Sequence, residues 1–221
     1  MREYRPPTDP YLTVVHSDQS LLVLDKPSGL LSVPGRDPAH RDSLASRAQE
    51  RFPGAMTVHR LDMDTSGLVI MARNPIAHRQ LSRLFQDRQV EKVYYAKVWG
   101  ELAEESGEID LPLICDWPNR PRQKVDFEVG KPSLTRWERV AVGDGYSLVR
   151  LKPVTGRSHQ LRVHLQAIGH PILGDPFYAH SQALKAAQRL LLHATTLKLQ
   201  HPLTGLEAHF ESKLDLQLFS I

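Results

Sequence analysis

Short strand-like segments recur along this sequence, most of them joined to the next by a polar or glycine turn, and this pattern constrains the fold more than any other feature. The regular strand–helix alternation that a parallel sheet needs for its crossovers is absent. Residues 11–25 read as two strands around a polar turn at residues 17–20, with Leu22 and Leu24 facing one side. Lys26-Pro-Ser-Gly-Leu30 breaks the second strand, because Pro27 has no N–H for a ladder and Gly29 permits a turn. Gly67-Leu-Val-Ile-Met-Ala-Arg73 has the continuous apolar pattern of a buried strand. Residues 93–99 alternate as a strand should, residues 125–129 and 134–142 read as two more, and Gly143-Asp-Gly145 signals a hairpin into residues 146–152. Strands at residues 190–200 and 206–210 flank a late turn at residues 202–205.

Helical periodicity is confined to a few places. Asp42 is an N-cap candidate for a first helix whose Leu44, Ala48 and Phe52 share a face, and Pro53-Gly54 stops the run. Asn74-Pro75 opens a second helix, with Ala77, Leu81, Leu84 and Phe85 as its buried stripe and Arg79 and Arg83 on a basic flank. Ser158 is placed to cap a third through Ile168, ended by Gly169, and a short helix is expected at residues 181–188. The fold class expected is therefore α+β with a largely antiparallel sheet. A Pro-rich extended arm at residues 1–10 is expected to precede one domain at residues 11–221.

Composition narrows the setting. With 221 residues, 41% hydrophobic and 24% charged, the chain is large and apolar enough to bury a core and is not of disordered type. No apolar run approaches a bilayer span and the N-terminus lacks the apolar stretch of a signal peptide, so no membrane partner is expected. The single cysteine, Cys115, excludes an internal disulfide and fits a cytoplasmic location. No long exposed apolar helix or strand calls for a dimer, so a monomer is expected. A net charge of +3 is too small to point to nucleic acid by itself. The basic residues nevertheless gather at residues 73–97, 120–139 and 150–162.

Four stretches carry chemistry. His59-Arg-Leu-Asp-Met-Asp-Thr-Ser-Gly67 puts Asp62 in a polar turn just before a buried strand, where a side chain is both fixed and accessible, although on local grammar alone these residues simply build a turn. Thr155-Gly-Arg-Ser-His-Gln-Leu-Arg-Val-His164 offers two fixed cations, Arg157 and Arg162; an arginine beside a carboxylate offsets the desolvation that would otherwise protonate it. Tyr94-Tyr-Ala-Lys-Val-Trp-Gly100 sets an aromatic among basic residues on a strand, a stacking surface for an unpaired base or plain packing. Asp116-Trp-Pro-Asn-Arg-Pro-Arg-Gln-Lys124 is a Pro-broken loop carrying Trp117, Arg120, Arg122 and Lys124, a mixture suited to RNA. Of the eleven histidines, His159 and His164 are five apart, off the spacing that sets two ligands on one helix face, and neither a cysteine cluster nor a His-Glu-x-x-His string occurs; no metal site or cofactor is expected.

These stretches, taken in order, resemble a known family. His59-Arg-Leu-Asp-x-x-Thr-Ser-Gly67 and Gly156-Arg-Ser-His-Gln-Leu-Arg-Val-His164 resemble the paired signature of RluA-type pseudouridine synthases. Lys26-Pro-Ser-Gly-Leu30, Tyr94-x-Ala-x-Val-x-Gly100, Gly169-His-Pro-Ile-x-Gly-Asp175 and Leu192-His-Ala194 match in the same order, so the likeness runs from about Tyr11 to Phe210. It implies a pseudouridine synthase catalytic fold, an extended mixed, mostly antiparallel sheet flanked by helices and loops, without the S4 RNA-binding domain of larger relatives. It also implies that Asp62 is the catalytic aspartate, Arg162 its ion-pair partner, Tyr94 the residue stacked on the target base, and Arg60 the side chain that enters the RNA as the base leaves. The substrate side is expected to include His59, Thr65 and Arg157 together with Trp117, Arg120, Arg122 and Lys124. Leu111-Pro-Leu-Ile-Cys-Asp-Trp-Pro-Asn-Arg-Pro121 is similar to family members that act on both a tRNA anticodon loop and a 23S ribosomal RNA hairpin loop, so structured RNA is the expected partner.

Chemically, Asp62 could attack C1′, add to C6 of the base or abstract the 2′ proton, and the sequence does not choose. A glycosidase would normally present two carboxylates across the bond, and Asp64, a neighbour in the same turn, is poorly placed to be the second. Two alternatives stand beside the synthase: an RNA-binding module without catalysis, in which Asp62→Asn would change nothing, and a nucleoside glycosidase, which would release free uracil.

Overall fold

The computed structural model describes residues 3–213 and 216–220; Met1 and Arg2 of the expected arm, and Leu214, Asp215 and Ile221 of the expected domain, lie outside the described residues. In chain order the first strands and helices are β1 (Thr13–Ser17), β2 (Leu21–Lys26), α1 (Leu44–Arg51), β3 (Met56–Thr57), β4 (Ser66–Ala72), α2 (Pro75–Gln86) and β5 (Glu91–Trp99). There follow β6 (Ser106–Asp110), β7 (Leu113–Cys115), β8 (Gln123–Val125), β9 (Leu134–Gly143), β10 (Tyr146–Pro153) and α3 (Gln160–Ala167). The last are α4 (Ser181–Lys185), β11 (Leu192–Gln200), β12 (Glu207–Glu211) and α5 (Leu216–Phe219). The architecture is α+β. Two compact units emerge, one made of residues 3–92 and 194–213, the other of residues 93–193 and 216–220.

In the first unit the strand order is β1-β2-β4-β11, with β3 pairing β4 and β12 pairing β11. The β1–β2 hairpin is closed by Asp18, whose Oδ1 accepts the N–H groups of Ser20 and Leu21 at 2.6 and 2.8 Å. β2 and β4 pair antiparallel from Leu21 opposite Ala72 to Lys26 opposite Gly67. Every residue of β4 is buried, which is why its sequence is a continuous apolar run and not an alternation. Leu21 and Val23 of β2, Leu68 and Ile70 of β4, and Leu197 and Leu199 of β11 form one core with Ala77 and Leu81 of α2. Fully burying each such leucine stabilises the fold by roughly 1.5–3 kcal/mol. The helix starts where the sequence implies: Asn74 is the N-cap, its Oδ1 accepting Ala77 N–H at 2.8 Å, and Pro75 occupies the first turn. Gly67 allows no substitute. Its φ is +108°, and a Cβ there would lie 2.2 Å from the carbonyl oxygen of Ala194.

In the second unit the order is β5-β10-β9-β6, antiparallel at each step, and β7 pairs β8 separately. The β9–β10 hairpin turns at Asp144-Gly145 as the sequence signals, with Gly145 at φ +77°. Ala96 and Val98 of β5 and Val149 and Leu151 of β10 share a core with Leu161 and Leu165 of α3 and with Leu190–Leu192 of the approach to β11. That packing fixes α3 against the sheet, and α3 carries Arg162.

Several expectations are corrected. Ser43, not Asp42, caps α1: its hydroxyl accepts Ser46 N–H and the Ser46 hydroxyl accepts Ser43 N–H, a reciprocal box, while Asp42 pairs with Arg47 at 2.7 Å. Residues 125–129 are not a strand. β8 ends at Val125 and Asp126 turns the chain, its Oδ1 accepting the N–H groups of Glu128 and Val129 and leaving Phe127 76% exposed. Ser158 does not cap α3. His159 does, in the left-handed region at φ +53°, without a side-chain capping bond. α4 ends at Lys185, short of residue 188.

Candidate active-site residues

In the first unit, the turn that holds Asp62 is closed by Thr65 N–H donating to the Asp62 carbonyl at 3.2 Å. The Lys26-Pro-Ser-Gly loop braces it. Lys26 is wholly buried, an unfavourable place for an ammonium, and Nζ donates to the carbonyls of Pro27, Leu30 and Met63 at 2.9, 2.7 and 2.8 Å. Gly29 N–H donates to the same Met63 carbonyl at 2.9 Å, the Ser28 hydroxyl to that of Asp64 at 2.6 Å, and the Ser32 hydroxyl to that of Leu61 at 2.7 Å. The backbone is therefore pinned on both sides of Asp62, and its half-buried carboxylate is presented by a turn that β2 and β4 hold in place.

His59 and Thr65 belong to that scaffold. The His59 ring stacks on Phe85 with centroids 4.4 Å apart, and its Nε2 accepts Ile70 N–H at 2.9 Å. Burial, and then the nearby Lys92 cation, push its pKa down to about 3, so the ring is neutral with its proton on Nδ1. Thr65 is 2% exposed. Arg60, between them in sequence, is exposed and has no ion-pair partner among the described residues.

In the second unit Arg162 is 1% exposed and gripped by Asp175, with Nε and Nη2 each donating to one carboxylate oxygen at 2.8 and 2.7 Å. Asp175 also accepts the N–H groups of Phe177 and Tyr178 at 2.8 and 3.2 Å, so the turn that follows it is built on the same carboxylate. The guanidinium carbon lies 5.2 Å from the ring centres of both Phe177 and Tyr178. The sequence offered Asp62 as the acidic partner of Arg162; Asp175 is an acid it did not identify. A Gly-Asp-Pro-x-aromatic string signals a turn, and only the third dimension shows that the turn wraps an arginine.

Other motif residues of this unit build α3. Gln160 accepts from the Thr155 hydroxyl and Arg157 N–H and donates to Leu134 O and Thr135 Oγ1, so its buried amide is satisfied. His164 is buried between Thr135 Oγ1 and Leu111 O, both at 3.0 Å; the carbonyl only accepts, so Nε2 carries the proton, and burial lowers the pKa. Arg157 is exposed. Tyr94 is half-buried on β5, opposite Leu151. In the 116–124 loop Trp117 is 64% exposed with the Arg120 guanidinium over its ring at 4.6 Å. Arg122 approaches the Phe177 ring at 6.0 Å, and Lys124 pairs with Asp126 at 3.2 Å. Among the described residues no three His, Cys, Asp or Glu side chains converge as metal ligands, and no helix is long and apolar enough to cross a membrane.

The acid turn before β4 is thus braced by the loop after β2, and the buried arginine of α3 is held by Asp175. The family described as RNA pseudouridylate synthase matches residues 20–167, more than half of the chain, and this chain belongs to that family. Among its relatives, the dual-specificity RNA pseudouridine synthase RluA of Vibrio parahaemolyticus is 56% identical over 207 residues, 91% of this chain and 83% of that protein. The protein of the same name from Escherichia coli strain K12 is 51% identical over 216 residues, 97% of this chain and 99% of that one. Two solved human structures share the fold. RNA pseudouridylate synthase domain containing 1 superposes with a TM-score of 0.80 at 31% identity, covering 97% of this chain and 89% of that one. Domain containing 4 gives 0.74 at 26% identity, covering 94% and 92%.

Proposed function

We propose that this chain isomerises uridine to pseudouridine in the loops of structured RNA, its substrates being a tRNA anticodon stem-loop and a 23S ribosomal RNA hairpin. The observation that carries the reading is identity of 51% spread over 97% of this chain and 99% of the E. coli relative that is named for dual specificity. The reaction breaks N1–C1′, turns the freed uracil, joins C5 to C1′ and exchanges the C5 proton for one on N1. It is redox-neutral, and one ionised carboxylate is enough to run it.

In this reading Asp62 is the catalytic carboxylate, and the pinned turn around it supports that role by limiting its motion. Arg162 is its ion-pair partner; a guanidinium carries five N–H donors, so a grip on Asp175 through two nitrogens is compatible with a second acid. Tyr94 stacks on the target base and Arg60 fills the place it leaves. Unstacking a loop uridine costs a few kcal/mol, less than a paired one, which favours hairpin loops. Trp117, Arg120, Arg122, Lys124 and Arg157 contact the RNA, while His59 and Thr65 shape the turn without touching it. The protein acts as a cytoplasmic monomer.

The test uses anticodon stem-loop RNA with tritium at uridine C5. Purified protein should release tritium without free uracil or strand cleavage, and Asp62→Asn should abolish release while RNA binding persists. Free uracil as product, or release undiminished in Asp62→Asn, would overturn the reading. A 23S hairpin in the same assay examines the second substrate.

A further inference from the structure

The Tyr178 hydroxyl is the meeting point of two elements that the chemistry uses separately. It accepts the N–H of Gln123, at the exit of the 116–124 loop, at 2.8 Å, and it is hydrogen-bonded to Nδ1 of His159 at 2.6 Å. His159 is the left-handed N-cap of α3, three residues before Arg162, and the Tyr178 ring lies 5.2 Å from the Arg162 guanidinium carbon. Phe177 repeats the bridge: Arg122 of the loop and Arg162 of the helix both approach its ring, at 6.0 and 5.2 Å, and His159 stacks on it with centroids 5.7 Å apart. Both aromatics are set in place by Asp175, which accepts their N–H groups while holding Arg162. The loop that carries Trp117 and Arg120 is thus tied to the cap of the helix that carries Arg162.

We infer that Tyr178 is a positioning residue that couples RNA docking on the 116–124 loop to the placement of Arg162. The inference rests on the reading of Arg162 as part of the catalytic set. A phenol hydrogen-bonded to both elements transmits order from one to the other: a loop held by RNA holds Gln123, Gln123 holds the phenol, and the phenol holds the cap and the guanidinium beside it. A purely structural tyrosine would stabilise the fold without linking substrate contacts to turnover.

Tritium release from the anticodon stem-loop would be measured with full-length wild type, Tyr178→Phe, Trp117→Ala, the double variant and Arg162→Lys, with kcat and KM separated. Tyr178→Phe keeps the ring over the guanidinium and removes only the hydroxyl. Its kcat, measured where the variant is fully folded, should fall about tenfold or more as both of the hydroxyl's hydrogen bonds are lost, with KM little changed. Trp117→Ala should lower kcat in wild type by about fivefold and by less than about twofold in the Tyr178→Phe background, since the route for its effect is already cut. A Tyr178→Phe enzyme with wild-type kcat, or equal Trp117→Ala factors in both backgrounds, overturns the coupling while leaving the catalytic reading intact. An Arg162→Lys enzyme with wild-type kcat overturns that reading and the coupling with it.

Discussion

Asp175 holds Arg162 through both carboxylate oxygens, at 2.8 and 2.7 Å, with 0% and 1% of the two side chains exposed. A pair so deeply placed stabilises little relative to an apolar pair of the same shape, because both ions are desolvated. Breaking it from one side is another matter. Asp175→Ala leaves a buried cation short of its partner and frees two backbone N–H groups, and should cost about 3–5 kcal/mol in urea unfolding. A loss below about 1 kcal/mol would mean that water reaches the pair in solution.

Lys26→Met keeps a stem of similar length and removes three donors. The carbonyls of Pro27, Leu30 and Met63 lose the ammonium, the last keeping Gly29 N–H, and with about 1–3 kcal/mol for each of the two acceptors left unsatisfied, a stability loss of about 2 kcal/mol or more is expected. Turnover should fall further than folding explains, because the Met63 carbonyl is one residue from Asp62. Measuring kcat at a temperature where the variant is fully folded separates the two effects.

His59 makes stability depend on pH. Its pKa is about 6.5 in the unfolded chain and about 3 in the fold, so between those values the unfolded chain binds a proton that the folded one refuses. The stabilisation is complete above pH 6.5 and is lost progressively as pH falls towards 3, by roughly 1–3 kcal/mol once partial exposure of the ring is allowed for. Buried His164 acts in the same direction. Urea midpoints between pH 7 and 4 should fall more steeply for wild type than for His59→Gln, which still accepts from Ile70 and carries no titrating ring.

Gly67→Ala should fail to accumulate as folded protein. The added carbon meets the Ala194 carbonyl oxygen at 2.2 Å, backbone against backbone, at a φ of +108°. Recovery of soluble variant with wild-type circular dichroism would show that β4 and β11 separate more readily than their packing implies.

The sequence made the local elements readable where one residue type leaves one option. Asn74 followed by Pro75 opens a helix because the amide caps and the proline needs no donor, and β4 is visible because burial on both faces demands an unbroken apolar run. β6 left no such trace. Of Ser106–Asp110 only Ile109 is buried, so an edge strand is written in mostly polar residues. The site was legible as motifs and not as contacts. Lys26 looks like a surface residue until three carbonyls are seen around it, and nothing local to Asp175 tells that it turns back on a guanidinium thirteen positions earlier.

β11 is the neighbour of β4, yet it is made more than a hundred residues later. While the chain is still emerging from the ribosome, the flank of β4 away from β2 is covered only by the two residues of β3, opposite Met71 and Ala72, and the rest of that edge, apolar on both faces, is ready to pair with another extended strand. A message cut short anywhere before Ala194 therefore yields a sticky half-sheet, not a smaller enzyme, because the strand that covers that edge comes only with β11.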